Sequence, residues 1–217
     1  MAVTCAIGDL HGRSDVLDAV VSTLRARFPG GGTFQSVGDL IDRGPDSKGV
    51  IERFMDPPPG WTFRAVAGNH ERMMLDAVEG VAPLTWVRCG GEATLDSYGP
   101  AVEPKHLPAD HVAFVRSLPL HREDAHRLYV HAGVDPALPV HLQTEKTLAW
   151  SVMPDDLPEP YDGHYVVHGH IAHAYGPKVG TNVANLDVMT WHTGRIVVAV
   201  FDDDVPGPPV DLVEVVV

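Results

Sequence analysis

Cysteine is scarce in this chain: Cys5 and Cys89 are the two among 217 residues. So few argue against a disulfide framework and against a cysteine-built structural zinc site, and they suit a reducing compartment. Positive charge is also in short supply. Sixteen Lys and Arg stand against 29 Asp and Glu, a formal net charge of −13 at pH 7. Such a surface repels nucleic-acid backbones and anionic membranes, so a polymeric nucleic acid is not expected as a partner. A long apolar run is missing too. The first residues read Met1-Ala-Val-Thr-Cys-Ala-Ile-Gly-Asp, with no basic region before a short apolar stretch. That is neither a signal peptide nor a membrane span, and a cytoplasmic location is the expectation. Internal repeats, low-complexity segments and a clear linker are absent as well, so residues 1–217 read as one domain.

What the chain does have is histidine, 13 of them, and a regular alternation of elements. Val3 to Ile7 is a short apolar run that suits a buried strand. Val16, Leu17, Val20, Val21 and Leu24 repeat at helical spacing, which predicts a helix over 14–27 with Ser14 as its N-cap. Further strands are expected at 34–37, 62–67, 128–130, 165–167, 182–186, 195–201 and 210–217. Helices are expected at 47–55 and from Asn69 through Val78, with short helices and loops over 80–125. Residues 153–162 form an acidic, proline-broken loop. Strands alternating with helices, then mostly strands, indicate an α/β layered fold.

Polar groups sit immediately after the strands. Five segments do so: Gly8-Asp-Leu-His-Gly12, Gly38-Asp-Leu-Ile-Asp-Arg-Gly44, Gly68-Asn-His-Glu71, Val130-His-Ala-Gly133 and His168-Gly-His170. In α/β sheets the carboxyl ends of strands border the ligand crevice. Carboxylate, amide oxygen and imidazole together suit first-row divalent metals, whereas calcium would favour oxygens. Each segment alone could be a capped turn or a satisfied core histidine. Asn69 could be an N-cap with Glu71 favouring the helix dipole. Five together, in this order and each after a strand, point to a metal centre.

The first three segments resemble the signature motifs of the calcineurin-like metallophosphoesterases. The chain is most similar to the phosphoprotein phosphatase branch in its bacterial and phage-type form. Val130-His-Ala-Gly-Val-Asp-Pro136 and His168-Gly-His170 sit where the later histidine motifs of that branch should, and Asn185-Leu-Asp187 with Thr193-Gly-Arg195 looks like its closing strand pair. The resemblance implies two mixed β-sheets packed together and flanked by helices, with two divalent metals at one edge (Mn first; Fe, Zn, Co or Ni as alternatives) and a bridging hydroxide as nucleophile. It implies that Asp9, His11 and Asp39 hold the first metal. Asp39 would bridge to the second, joined by Asn69, His131 and His170. It further implies His70 as the general acid, Asp42 as its orienting carboxylate, and Arg43, with Asn69, in substrate binding.

Two positions depart from the branch. An arginine commonly precedes Gly-Asn-His-Glu, where this chain has Ala67. Another often follows a tryptophan downstream of the His-Ala-Gly motif, where this chain reads Trp150-Ser151-Val152. Arginines there would be bidentate partners for phosphate oxygens. Arg13 and Arg72 are possible substitutes. His168 is expected to be structural and His173 to lie on the rim.

Three functions compete. The first is a phosphomonoesterase acting on a phosphorylated small molecule or a phosphoprotein, with serine and threonine phosphates in view. The second is a hydrolase of dinucleoside polyphosphates or small phosphodiesters, which the segment from His131 to Glu145 also resembles. The third is a non-catalytic scaffold of the same fold, against which stands the presence of His70 and the full ligand set.

Overall fold

The computed structural model describes residues 2–217. Two five-stranded mixed sheets carry the fold. The first is ordered β10-β9-β1-β2-β3, from Asp211–Val216, Arg195–Asp202, Val3–Ile7, Gly32–Ser36 and Trp61–Ala65. The second is ordered β4-β5-β6-β8-β7, from His121–Glu123, Arg127–Val130, Tyr165–His168, Val183–Asn185 and Lys178–Val179. No described helix is long and apolar enough to cross a membrane.

The two-residue period of a strand sorts the core. On β1, Val3, Cys5 and Ile7 face the helices, while Ala6 faces the other sheet. On β9, Ile196, Val198 and Val200 take the helix side and Ala199 and Phe201 the sheet side. Tyr129, Tyr165, Val167 and Ala184 of the second sheet meet them there. Its opposite face packs Leu128, Val130, Val166 and Val183 on Leu148 and Met153. Both sheets are therefore covered on both faces, which is why their central strands read as unbroken apolar runs.

Helix α1 (Ser14–Arg27) covers the first sheet with Val16, Leu17, Val20 and Leu24. Its cap differs from expectation. Arg13 holds the cap position, and the Ser14 hydroxyl donates 2.6 Å to Asp46 instead. Asp46 in turn accepts the Gly49 N–H and caps α2 (Ser47–Met55). Helix α3 (Asn69–Val78) begins after Gly68, and α4 (Pro83–Trp86) and α5 (Glu92–Tyr98) flank a kink at Gly90. Helix α6 is Ala109–Ser117. Strand β4 and helix α7 (Glu145–Trp150) add to the elements read from sequence. Both are short, and their periodicity is too brief to register.

One expectation is corrected. β8 and β9 are not a strand pair: β8 joins the second sheet and β9 the first. Residues 186–194, including the short helix α8 (Thr190–Thr193), carry the chain between them. Hydrogen bonding sets the choice. β9 is flanked on both sides by antiparallel partners, β1 and β10, and has no free edge for β8.

Topology places the site. β1, β2 and β3 run parallel, and so do β5, β6 and β8. Each trio therefore delivers its carboxyl ends to one edge, and the two edges meet. Val37 N donates to Ile7 O at 3.1 Å, and Gly169 N to His131 O at 2.9 Å, so the turns are tied together as well.

Candidate metal centre

The candidate ligands follow strand ends, most of them on tight turns and Asn69 as the first residue of α3, and several of the turns are strained. His11, Asp39, Asp42, Arg43 and His170 all have left-handed backbone angles, with φ of 45°, 49°, 75°, 68° and 69°. A non-glycine residue rarely adopts this region, at about 1–2 kcal/mol each. Such strain persists only where surrounding contacts over-determine it, and it gathers at functional sites.

Glu71 supplies much of that determination. It is fully buried and accepts three backbone N–H groups: Gly68 at 2.7 Å, Leu40 at 2.8 Å and Asp39 at 3.0 Å. One carboxylate thus staples the second motif to the third. Burial, with Asp39 adding, pushes Glu71 up to about 7, and the three N–H bonds oppose that by favouring the anion. Gly68 is required here, since a Cβ would collide with the Asp39 carboxylate.

The ligand atoms of His11, Asp39 and His70 lie within 4.8 Å of one another, as do those of Asp39, His131 and His170. Asp39 is common to both groups. His11 Nδ1 bonds Ile41 O at 2.9 Å and His131 Nδ1 bonds Val37 O at 3.0 Å. The backbone thereby fixes each tautomer and leaves Nε2 with a lone pair, the usual arrangement behind a metal-binding histidine. Burial lowers both imidazoles, His11 to about 3, so they are neutral. Around His131 Nε2 stand Asn69 Oδ1 at 2.9 Å, His170 Nδ1 at 3.1 Å and Asp39 Oδ2 at 3.4 Å. Burial also lowers His170, to about 4. Several lone pairs converge where little donates to them, and a cation is what such a set fits.

Asp9 is buried but belongs to neither close group. Its carboxylate accepts the His170 N–H at 3.2 Å. Burial first, then the charges of Asp187 and Asp39, raise it well above the usual carboxylate range. Asp187 is itself buried, and burial lifts it to about 6. Sequence reasoning placed Asp187 in a strand motif and gave it no role. Two neighbouring buried carboxylates call for positive charge close by.

The candidate acid is held separately. His70 Nδ1 lies 2.6 Å from Asp42 Oδ2. Asp42 is fully buried and also accepts Trp86 Nε1–H at 2.8 Å and the Thr94 hydroxyl at 2.6 Å. Burial alone would lower His70, but Asp39 and Asp42 outweigh it and hold it above the ordinary imidazole value. Neither Trp86 nor Thr94 gave any sequence signal, because the kink at Gly90 brings them in. Gly90 has φ 118°, its carbonyl accepts Arg43 N–H at 3.1 Å, and a Cβ would stand 2.7 Å from Arg43 Cγ.

Of the other candidates, Arg13 is committed to Asp15 and to Thr190 O, and Arg72 to Glu145 at 2.8 Å. Ala67 is buried and Val152 is 76% exposed. His168 is buried with Nδ1 near its neighbour's carbonyl, and His173 is partly exposed.

Known proteins resemble this chain in sequence and fold. The sequence profile of the calcineurin-like phosphoesterases matches residues 3–174. A symmetrical bis(5'-nucleosyl)-tetraphosphatase of Ralstonia nicotianae is 37% identical over 131 residues, covering 60% of this chain and 42% of that protein. Serine/threonine-protein phosphatase 2 of Escherichia coli is 40% identical over 90 residues, covering 42% of this chain and 39% of that protein. The chain thus spans less than half the length of either relative. A solved metallophosphoesterase from Sphaerobacter thermophilus superposes with a TM-score of 0.60 at 19% identity, covering 99% of this chain and 88% of that one, a likeness of fold. With the profile spanning most of the sequence and the motifs gathered at one edge of two mixed sheets, the chain belongs to the calcineurin-like phosphoesterase family.

Proposed function

We propose that this chain hydrolyses phosphate esters with two divalent cations, and that phosphomonoesters, including those on serine and threonine, are its substrates. The observation that carries the reading is the convergence of neutral imidazole, amide and carboxylate acceptors on Asp39. Asp9, His11 and Asp39 would hold one cation, and Asp39, Asn69, His131 and His170 the other. Manganese suits the mixed oxygen and nitrogen donors. The cations would supply an activated water and positive charge against the phosphoryl oxygens. We place the protein in the cytoplasm and read residues 1–217 as one domain.

His70 gives its Nε2 proton to the departing alkoxide, and Asp42 keeps the ring oriented and charged. Arg43 binds the substrate phosphate. In the present arrangement Arg43 Nη2 lies 3.0 Å from His70 Nε2, so that contact opens when the guanidinium turns to a phosphate.

Hydrolysis of dinucleoside polyphosphates is the second reading. An indole beside Arg43, that of Trp191, favours it. One screen tests both. The manganese-loaded protein is assayed against phosphopeptides, aryl mono- and diesters and dinucleoside polyphosphates. Turnover that persists at full rate in a chelated, metal-free sample would overturn the metal reading.

A further inference from the structure

We propose that Trp191 is the stacking wall for the nucleobase of a nucleotide substrate whose phosphate is held by Arg43. The inference rests on the phosphoester-hydrolase reading and names the substrate class within it.

Trp191 lies on the 186–194 crossing, which passes the site between the two sheets. The Arg43 guanidinium carbon is 5.7 Å from the centroid of its ring. The indole is half-buried, with part of its surface in solvent next to the candidate phosphate-binding group and the His192 ring 5.4 Å from it. A nucleotide carries a phosphate and a planar base one sugar apart. A phosphoserine peptide has no planar group built in at that spacing.

The crossing is held in shape. Met189 adopts φ 59°, and its N–H donates 2.9 Å to Asp187 Oδ1. The Thr193 hydroxyl donates to Met189 O at 3.1 Å, and Gly194 N to Thr190 O at 3.0 Å. Arg13 Nη1 reaches Thr190 O at 3.2 Å. A left-handed methionine, over-determined from both sides, fixes the residue two places on. Trp191 is not needed to hold Arg43 in place. The Arg43 backbone is bonded to Gly90 O, which holds its turn without the indole. A partly exposed aromatic side chain beside a phosphate-binding group is suited to a π-faced ligand, because every base offers a face to stack.

The test compares wild type with Trp191→Ala and Trp191→Phe. AMP and ribose 5-phosphate are titrated calorimetrically into the metal-loaded proteins, with thermal unfolding run in parallel. Trp191→Ala should weaken AMP by about 5- to 100-fold, the range expected for one lost stacking partner, and leave ribose 5-phosphate within about twofold. Trp191→Phe should fall between. Equal losses for both ligands, no loss for AMP, or a wild type that fails to bind AMP would overturn the proposal. Should Trp191→Ala unfold, the Phe variant decides by the same ratio. Phosphate release is followed in parallel, so binding and turnover are read apart. Intact AMP stacking in a protein that hydrolyses no ester would therefore sink the hydrolase reading alone.

Discussion

Arg43 bridges His11 and His70: Nη1 lies 2.8 Å from His11 Nε2 and Nη2 3.0 Å from His70 Nε2. One guanidinium thus engages both a candidate metal ligand and the candidate acid. Positive charge at this spot satisfies the His11 lone pair that a cation would take.

Asp39 is shared between both ligand groups, so its loss should empty both positions. Metal analysis of purified wild type should show up to two bound divalent ions. Asp39→Asn should lose most of both, while Asp42→Asn should keep them. A full complement in Asp39→Asn would rule out the bridging role.

His70→Asn should lower turnover far more than metal occupancy. General acid catalysis contributes about 10²- to 10⁴-fold, and a good leaving group needs little of it. The loss should be large for alkyl phosphates and small for p-nitrophenyl phosphate. Equal losses would remove His70 from the role.

The pH profile carries the sign of the Asp42 contact. Asp39 and Asp42 raise His70 against the burial that would lower it. The working proton is present below that raised value and is lost as pH rises through it. Any stability from the protonated pair follows the same course, full below the unfolded histidine value of about 6.5 and gone above the folded one. Asp42→Asn lowers the folded value, so the alkaline limb of kcat should move to lower pH. A limb unmoved by this substitution would separate it from His70.

Glu71→Gln should weaken both fold and metal binding. Its carboxylate accepts three backbone N–H groups, and a hydrogen bond to a charged acceptor is worth about 1.5–3 kcal/mol. The amide keeps the shape but loses the charge and turns a donor toward the Asp39 turn. Denaturant unfolding and metal titration should both register it. Wild-type values in both would mean the staple is dispensable.

Substrate charge can be tested at Val152. It is exposed, so an arginine fits there, whereas Ala67 is buried. Restoring an arginine at either position should favour monoesters, and the exposed one is the simpler test. With Arg13 and Arg72 committed elsewhere, the protein should hydrolyse monoesters weakly, with diesterase activity comparatively near. Val152→Arg should raise kcat/KM for an aryl monoester relative to the matched diester. A strong wild-type preference for the monoester that the variant does not change would show that this missing arginine is not what sets specificity.

The sequence by itself determined most of the strands, most of the helices and the residues that end up at one edge. Asp9, His11, Asp39, Asn69, His70, His131 and His170 could be picked out because each follows an apolar run on a glycine-flanked turn, a local pattern. Tertiary structure alone decided the rest. It put β8 and β9 in different sheets, because that choice depends on partners distant in the chain. It brought Trp86 and Thr94 onto Asp42 through a kink that propensity does not encode. It set Asp187 beside Asp9 and Trp191 over Arg43 across more than a hundred residues. Ligands can be read from sequence because strand-end turns are local. The groups that orient and charge them cannot, because burial and proximity exist only once the two sheets have closed.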